Sequence, residues 1–200
     1  MSLTLQTVPQ YEVYPVTLAL VKQNSVVEHA LDDSLLAFYI RAATNYVEDY
    51  IGKDIISRTW DYSFDEFPIS NIICLPKTPV LDITSITYYD YSGSPVLNTL
   101  ATSVYTLDTG KSPAEIHLQY GQTWPAVTFT HNSITVRFRT GFMDTNTSPN
   151  DDTTVPSTIK EAVLMVVDDM YRNRASQDTI KLYKNMAVEM MLDQNKEYSL

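Results

Sequence analysis

The chain has 200 residues, a formal net charge of -10 and a pI near 4.6, with 44% hydrophobic and 19% charged residues. This length and composition predict one core-forming domain, or a domain carrying an insertion, and exclude a disordered chain or a long coiled coil. The acidity argues against a protein that holds nucleic acid by neutralising phosphates, and the single cysteine, Cys74, excludes an internal disulfide and a multi-thiolate zinc site.

No secretory signal is read at the start, because the first basic residue is Lys22 and no long apolar stretch follows a basic start. The longest apolar run, residues 162–167, is far below the ~20 residues of a membrane span. The three histidines, His29, His117 and His131, lie far apart and outside any H-E-x-x-H pattern. Glycine and proline divide the rest. Neither occurs in residues 16–51 or 157–200, so helical ends are expected around an irregular middle.

A short amphipathic helix is expected over residues 16–23, after Pro15. A longer one starts at Asp32-Asp33, where either carboxylate can cap free N–H groups and both complement the positive end of the helix dipole. Leu35, Leu36, Tyr39, Ile40, Ala43, Tyr46, Val47 and Tyr50 recur at helical spacing, and Gly52 stands where a left-handed terminating residue is expected. From residue 55 to 141 the period falls to two. Trp60, Tyr62 and Phe64 alternate with Asp61, Ser63 and Asp65, as in a strand with one buried face. Residues 83–89 and the run resuming at Val96 flank a turn-like Tyr91-Ser92-Gly93-Ser94 and predict a hairpin. Residues 105–107, 114–118 and 134–139 complete five or six short strands of a small antiparallel sheet or barrel. Residues 143–155 are polar and rich in turn formers. A helix then starts at Pro156-Ser157, with Asp168 and Arg172 spaced to pair. After a break near Ala175-Ser176, a last helix is expected from residue 177 to about 195, with Ile180, Tyr183, Met186, Ala187, Met190 and Met191 at helical spacing.

Candidate chemistry is sparse. The carboxylate pairs Asp32-Asp33, Asp151-Asp152 and Asp168-Asp169 read as a helix cap, a solvated loop and a helix face, since neighbours on a helix point about 100° apart and do not converge on one ion. Cys74 sits in the apolar run Ile72-Ile73-Cys74-Leu75 and reads as a small buried hydrophobe. Arg58, Arg137 and Arg139 could hold an anion, but the excess of acids makes ion pairing the expected use. No convergent acid, base and nucleophile is found, so no enzyme activity, metal or cofactor is expected. Met170, Met186, Met190 and Met191 concentrate late in the chain, and methionine suits both core gaps and adaptable docking surfaces.

Several segments in order carry a resemblance. They are the helix Asp-Asp-x-Leu-Leu-x-x-x-Ile-x-x-Ala-x-x-Tyr-Val-Glu-x-Tyr-Ile-Gly over residues 32–52, Arg58-Thr59-Trp60, and Leu75-Pro76-Lys77-x-Pro79-Val80. Ile83-x-x-Ile86-x-Tyr88, Gly121-Gln122-x-Trp124-Pro125, Thr140-Gly141-Phe142 and Val155-Pro156-x-x-Ile159-Lys160-Glu161-Ala162 follow. The chain resembles the head-tail connector (adaptor, head-completion) family of tailed bacteriophages over roughly residues 13–175, departing from it in the polar stretch 143–155 and the extended C-terminal helix. The resemblance implies an α+β fold, a small helical bundle with an inserted antiparallel β-rich segment: residues 1–54 and 156–200 as bundle, 55–142 as insertion and 143–155 as linker. It implies a structural protein of the virion head-tail joint, present in the host cytoplasm during assembly. Such a protein forms a homo-oligomeric ring, a dodecamer on the portal, binds the portal protein and a downstream stopper or tail-completion protein, and lets DNA pass without specific binding. The C-terminal helix points to Tyr183, Met186, Met190 and Met191 as portal-interface residues. The alternative is a β-rich module that binds a glycan or peptide through exposed tyrosines and the Trp124-Pro125 loop.

Overall fold

The computed structural model describes residues 1–7, 13–90, 96–127, 131–144, 152–173 and 186–196. In chain order these form β1 (Ser2–Thr7), α1 (Leu18–Asn24), α2 (Asp33–Ile51), β2 (Arg58–Phe64), β3 (Ile72–Cys74), β4 (Val80–Tyr89) and β5 (Leu97–Thr99). A 3-10 turn at Thr102–Val104 leads to β6 (Tyr105–Asp108), β7 (Glu115–Leu118), β8 (Ile134–Thr140), α3 (Ser157–Arg172) and α4 (Met186–Asp193). The architecture is α+β.

α2 forms where the 3.6-residue period is strongest. Leu36, Ile40, Ala43, Val47 and Ile51 share its buried face, and burying each large side chain is worth about 1.5–3 kcal/mol. Gly52 ends the helix at φ 74°, a left-handed conformation that costs glycine little. The start differs from expectation: Asp32 makes no side-chain capping bond. The Tyr171 hydroxyl donates to its carboxylate at 2.8 Å, and Asp33 pairs with Lys22 at 2.7 Å, so both acids bind side chains of neighbouring helices instead. α1 is capped by Thr17, whose hydroxyl accepts from the Leu20 N–H at 3.2 Å. The buried faces of the four helices meet in one core with Ile159, Ala162, Val163 and Val167 of α3.

The strands make two antiparallel sheets, one ordered β1-β2-β8-β4-β5 and the other β3-β7-β6. β8 is central: Ile134, Val136 and Phe138 are fully buried, with Phe138 opposite both Trp60 and Ile83. The β4–β5 hairpin agrees with the sequence expectation, while its turn, residues 91–95, lies outside the described residues. Two strands escape the periodicity. β1 carries one apolar residue, the partly buried Leu3, that packs against the sheet core, and β3 is too short to display a period. Asp61 departs from the expected solvent-facing alternation. It is 8% exposed because Arg137, opposite it on β8, grips both carboxylate oxygens at 2.7 and 2.8 Å.

The helical core and the sheet core join through two buried acids. At the end of α2, Glu48 accepts the N–H groups of Ile55 at 2.8 Å and Ile56 at 3.2 Å and an ion pair from Arg58. Asp54 accepts the Trp60 indole N–H at 2.8 Å and the Thr140 hydroxyl. Gly141 closes this joint at φ 131°, where a Cβ would lie 2.7 Å from the Ser57 Cα.

Candidate interaction surface

α4 is anchored on one side and bare on the other. Positions four apart share a face, so Val188 and Leu192 point into the helical core at 3% and 0% exposure, while Met186 and Met190 lie on the opposite side at 72% and 64%. Met191, between the two faces, is half-buried. The helix end is fastened to α2 and α3: the Tyr50 hydroxyl donates to Asp193 Oδ1 at 2.9 Å, and Asn195 Nδ2 donates to Thr158 Oγ1 at 2.9 Å. Lys196 Nζ stands 4.6 Å from the centroid of the Tyr50 ring. The hydrogen bond to Asp193 pushes the Tyr50 hydroxyl up to about 12. The described helix is shorter than the expected 177–195, and Tyr183 lies outside the described residues together with the break near 175–176.

The other sequence candidates are occupied internally. Arg137 holds Asp61; Arg139 is ion-paired to Asp82 and, at 2.8 Å, to Asp144; Arg58 serves Glu48. Asp168 pairs with Arg172 at 2.8 Å, as the spacing predicts, and Asp152 pairs with Lys160 at 2.9 Å. Asp151 is outside the described residues. Among the described residues no group of three or more His, Cys, Asp or Glu is placed to hold a metal ion. Cys74 is exposed rather than buried, because Ile73 takes the inward position of β3 and the alternation turns its neighbour out. Trp124 is not a free stacking platform. Its ring lies on Phe67, centroids 4.8 Å apart and planes 2° from parallel, and its N–H donates to the Ser70 carbonyl at 3.2 Å.

One bare apolar pair has no counterpart in the sequence expectations. Ile69 and Tyr120 are fully exposed at the same end of the β3–β7 ladder, which the Leu118 N–H extends by donating to the Asn71 carbonyl at 3.0 Å. The signal in the sequence is faint: an apolar residue between Asp65-Glu66 and Ser70-Asn71, and a tyrosine before Gly121.

The α+β fold of this chain is shared with chains of gene transfer agent particles. Over 100% of its length it matches a chain in the neck of an empty gene transfer agent particle with C6 symmetry, at TM-score 0.73 and 18% identity, covering 97% of that chain. A chain in the virion of the native particle matches at TM-score 0.74 and 16% identity, and one in its neck with C12 symmetry at 0.69 and 20%, again over 100% of this chain and 97% of the other. At the level of fold these likenesses agree with the connector resemblance carried by the sequence motifs. No protein-family model and no curated protein sequence matches the chain. Among the described residues no helix is long and apolar enough to cross a membrane.

Proposed function

We propose that this protein is a structural component of the virion neck, a head-tail connector whose copies form a ring beneath the portal, extend the DNA channel and offer a surface to the next head-completion or tail protein. The observation that carries the reading is the match of the whole chain to neck chains of particles resolved with sixfold and twelvefold symmetry. In this reading Met186, Met190 and Met191, with Tyr183, form the face that docks on the portal. The bare outer side of α4 supports that assignment, because flexible thioethers fit an apolar partner surface at low cost. The charge of -10 suits a channel wall that DNA passes without adhering. The protein then resides at the head-tail joint of the virion and in host cytoplasm before assembly.

Docking is tested by mixing the full chain with the cognate portal and imaging ring complexes. The variant to compare is Met186→Ser/Met190→Ser, which leaves Val188 and Leu192 in the core; deleting the helix would remove both. Complexes with the parent and their loss in the variant are expected. Equal docking by both would reject the α4 face.

A further inference from the structure

From the two ends of the small sheet we infer a head-to-tail contact between copies of this chain, in which the Ile69/Tyr120 tip of one copy enters a lysine-rimmed cavity of the next. This rests on the ring reading and names the surface that builds the ring.

The tip is rigid. Phe67 stacks on Trp124, the Trp124 indole holds the Ser70 carbonyl, and the Gln119 N–H donates to the Val104 carbonyl at 2.9 Å. Such bracing lowers the ordering cost of binding. Ile69 and Tyr120 nevertheless stand bare, and the exposed acids Asp65 and Glu66 precede Ile69 in the chain, Asp65 accepting the Asn132 N–H at 2.7 Å. The two segments that build the tip, residues 59–76 and 112–136, contain no Lys or Arg. A matching surface is therefore apolar at its centre and cationic at its rim.

This chain carries such a surface. A cavity of about 220 Å³ is lined by Pro79, Val80, Ala114 and Phe142 together with Thr78, Thr109 and Ser112, and Lys53 and Lys111 complete its cationic lining. It is smaller than the ~300–1,000 Å³ typical of small-molecule sites, and its size suits a single side chain. Lys111 already holds Glu115 at 2.6 Å, whereas Lys53 makes no ion pair among the described residues. Position supplies the remaining argument. The cavity includes the turn before β7 and the tip follows β7, so six residue steps, at most roughly 20 Å at ~3.4 Å each, separate Ala114 from Tyr120. Complementary patches at opposite ends of one element give the heterologous contact that closes rings or propagates filaments.

The test is sedimentation velocity on the full chain over a concentration series, with a tip variant, Ile69→Asp/Tyr120→Asp, and a cavity variant, Lys53→Glu/Lys111→Glu. Circular dichroism checks that both keep the fold, since the altered side chains are not in either core. The parent is expected to self-associate with rising concentration, each variant alone at least tenfold more weakly. An equimolar mixture of the variants is expected to stop at dimers, since only one tip and one cavity remain per pair. Association of both variants equal to the parent, or a parent that stays monomeric to about millimolar concentration, would overturn the contact. Virion incorporation separates this proposal from the ring reading. A tip variant found in necks at parental level would reject the contact and leave the ring standing, whereas a parent missing from necks would remove the ring reading whatever the self-association.

Discussion

Glu48 concentrates the energetics of the joint between helices and sheet. Burial holds its carboxyl above the ordinary 4.5, against the opposing pull of Arg58 and the N–H groups of Ile55 and Ile56. A carboxyl whose folded pKa is raised binds its proton more tightly folded than unfolded, so its contribution to stability falls as pH rises from 4.5 through the raised value. The stability difference between the parent and Glu48→Gln is therefore expected to decline over that window and then level off, as read by urea melts; a difference independent of pH would contradict it. Breaking the pair from the other side, with Arg58→Met, leaves an uncompensated buried acid and is expected to cost about 3–5 kcal/mol. Gly141→Ala is expected to cost at least about 2 kcal/mol in the same melts, because its Cβ would collide with backbone at Ser57 and Ile56. Residue types exposed part of this joint. Gly141 stands between the strand Thr140 ends and Phe142, but nothing in local spacing says that Glu48, on a helix, reaches across to two N–H groups beyond Gly52. Such a bond depends on tertiary placement, as does the burial of Asp61 by a partner 76 residues away.

Among the elements, α2, α3 and β8 were legible because each buries a periodic stripe, and the periodicity is what packing selects. β1 and β3 were not, since pairing to a neighbour, rather than their own pattern, makes them strands. α4 was legible in its spacing but not in its orientation. Six apolar positions could face the core or a partner, and the anchoring of Val188 and Leu192 decides that Met186 and Met190 face outward. Leu192→Ala is accordingly expected to destabilise by about 2–4 kcal/mol, against less than about 0.5 kcal/mol for Met190→Ser, in parallel thermal or urea unfolding. Asp193→Asn should return the Tyr50 hydroxyl from about 12 towards 10.0, visible as one tyrosine moved in an ultraviolet pH titration. An unchanged titration would mean that α4 does not rest against α2 in solution.

For the whole molecule, the acidic balance argues against a phosphate-gripping protein and, in the proposed neck ring, would suit a passive channel. Nine of the eleven ion pairs among the described residues engage Arg or Lys, and with 24 Asp and Glu against 14 Lys and Arg the balance of charge opposes a duplex. The purified protein is expected to show no binding to duplex DNA at physiological salt tighter than the ~10⁻⁴ M of weak non-specific contacts. Tight binding in a mobility or anisotropy assay would contradict the passive wall. The helical body and sheet could be anticipated from punctuation and period, and the order of motifs pointed to the connector fold. The proposed contact surfaces could not, because a patch is made by residues distant in sequence that share one end of a sheet. The central claim concerns place, and electron microscopy of particles carrying a gold-labelled copy of this chain tests it most directly. The account predicts label confined to the head-tail joint, arranged about the channel axis; label on the capsid shell or the distal tail, or none on the particle, would contradict it.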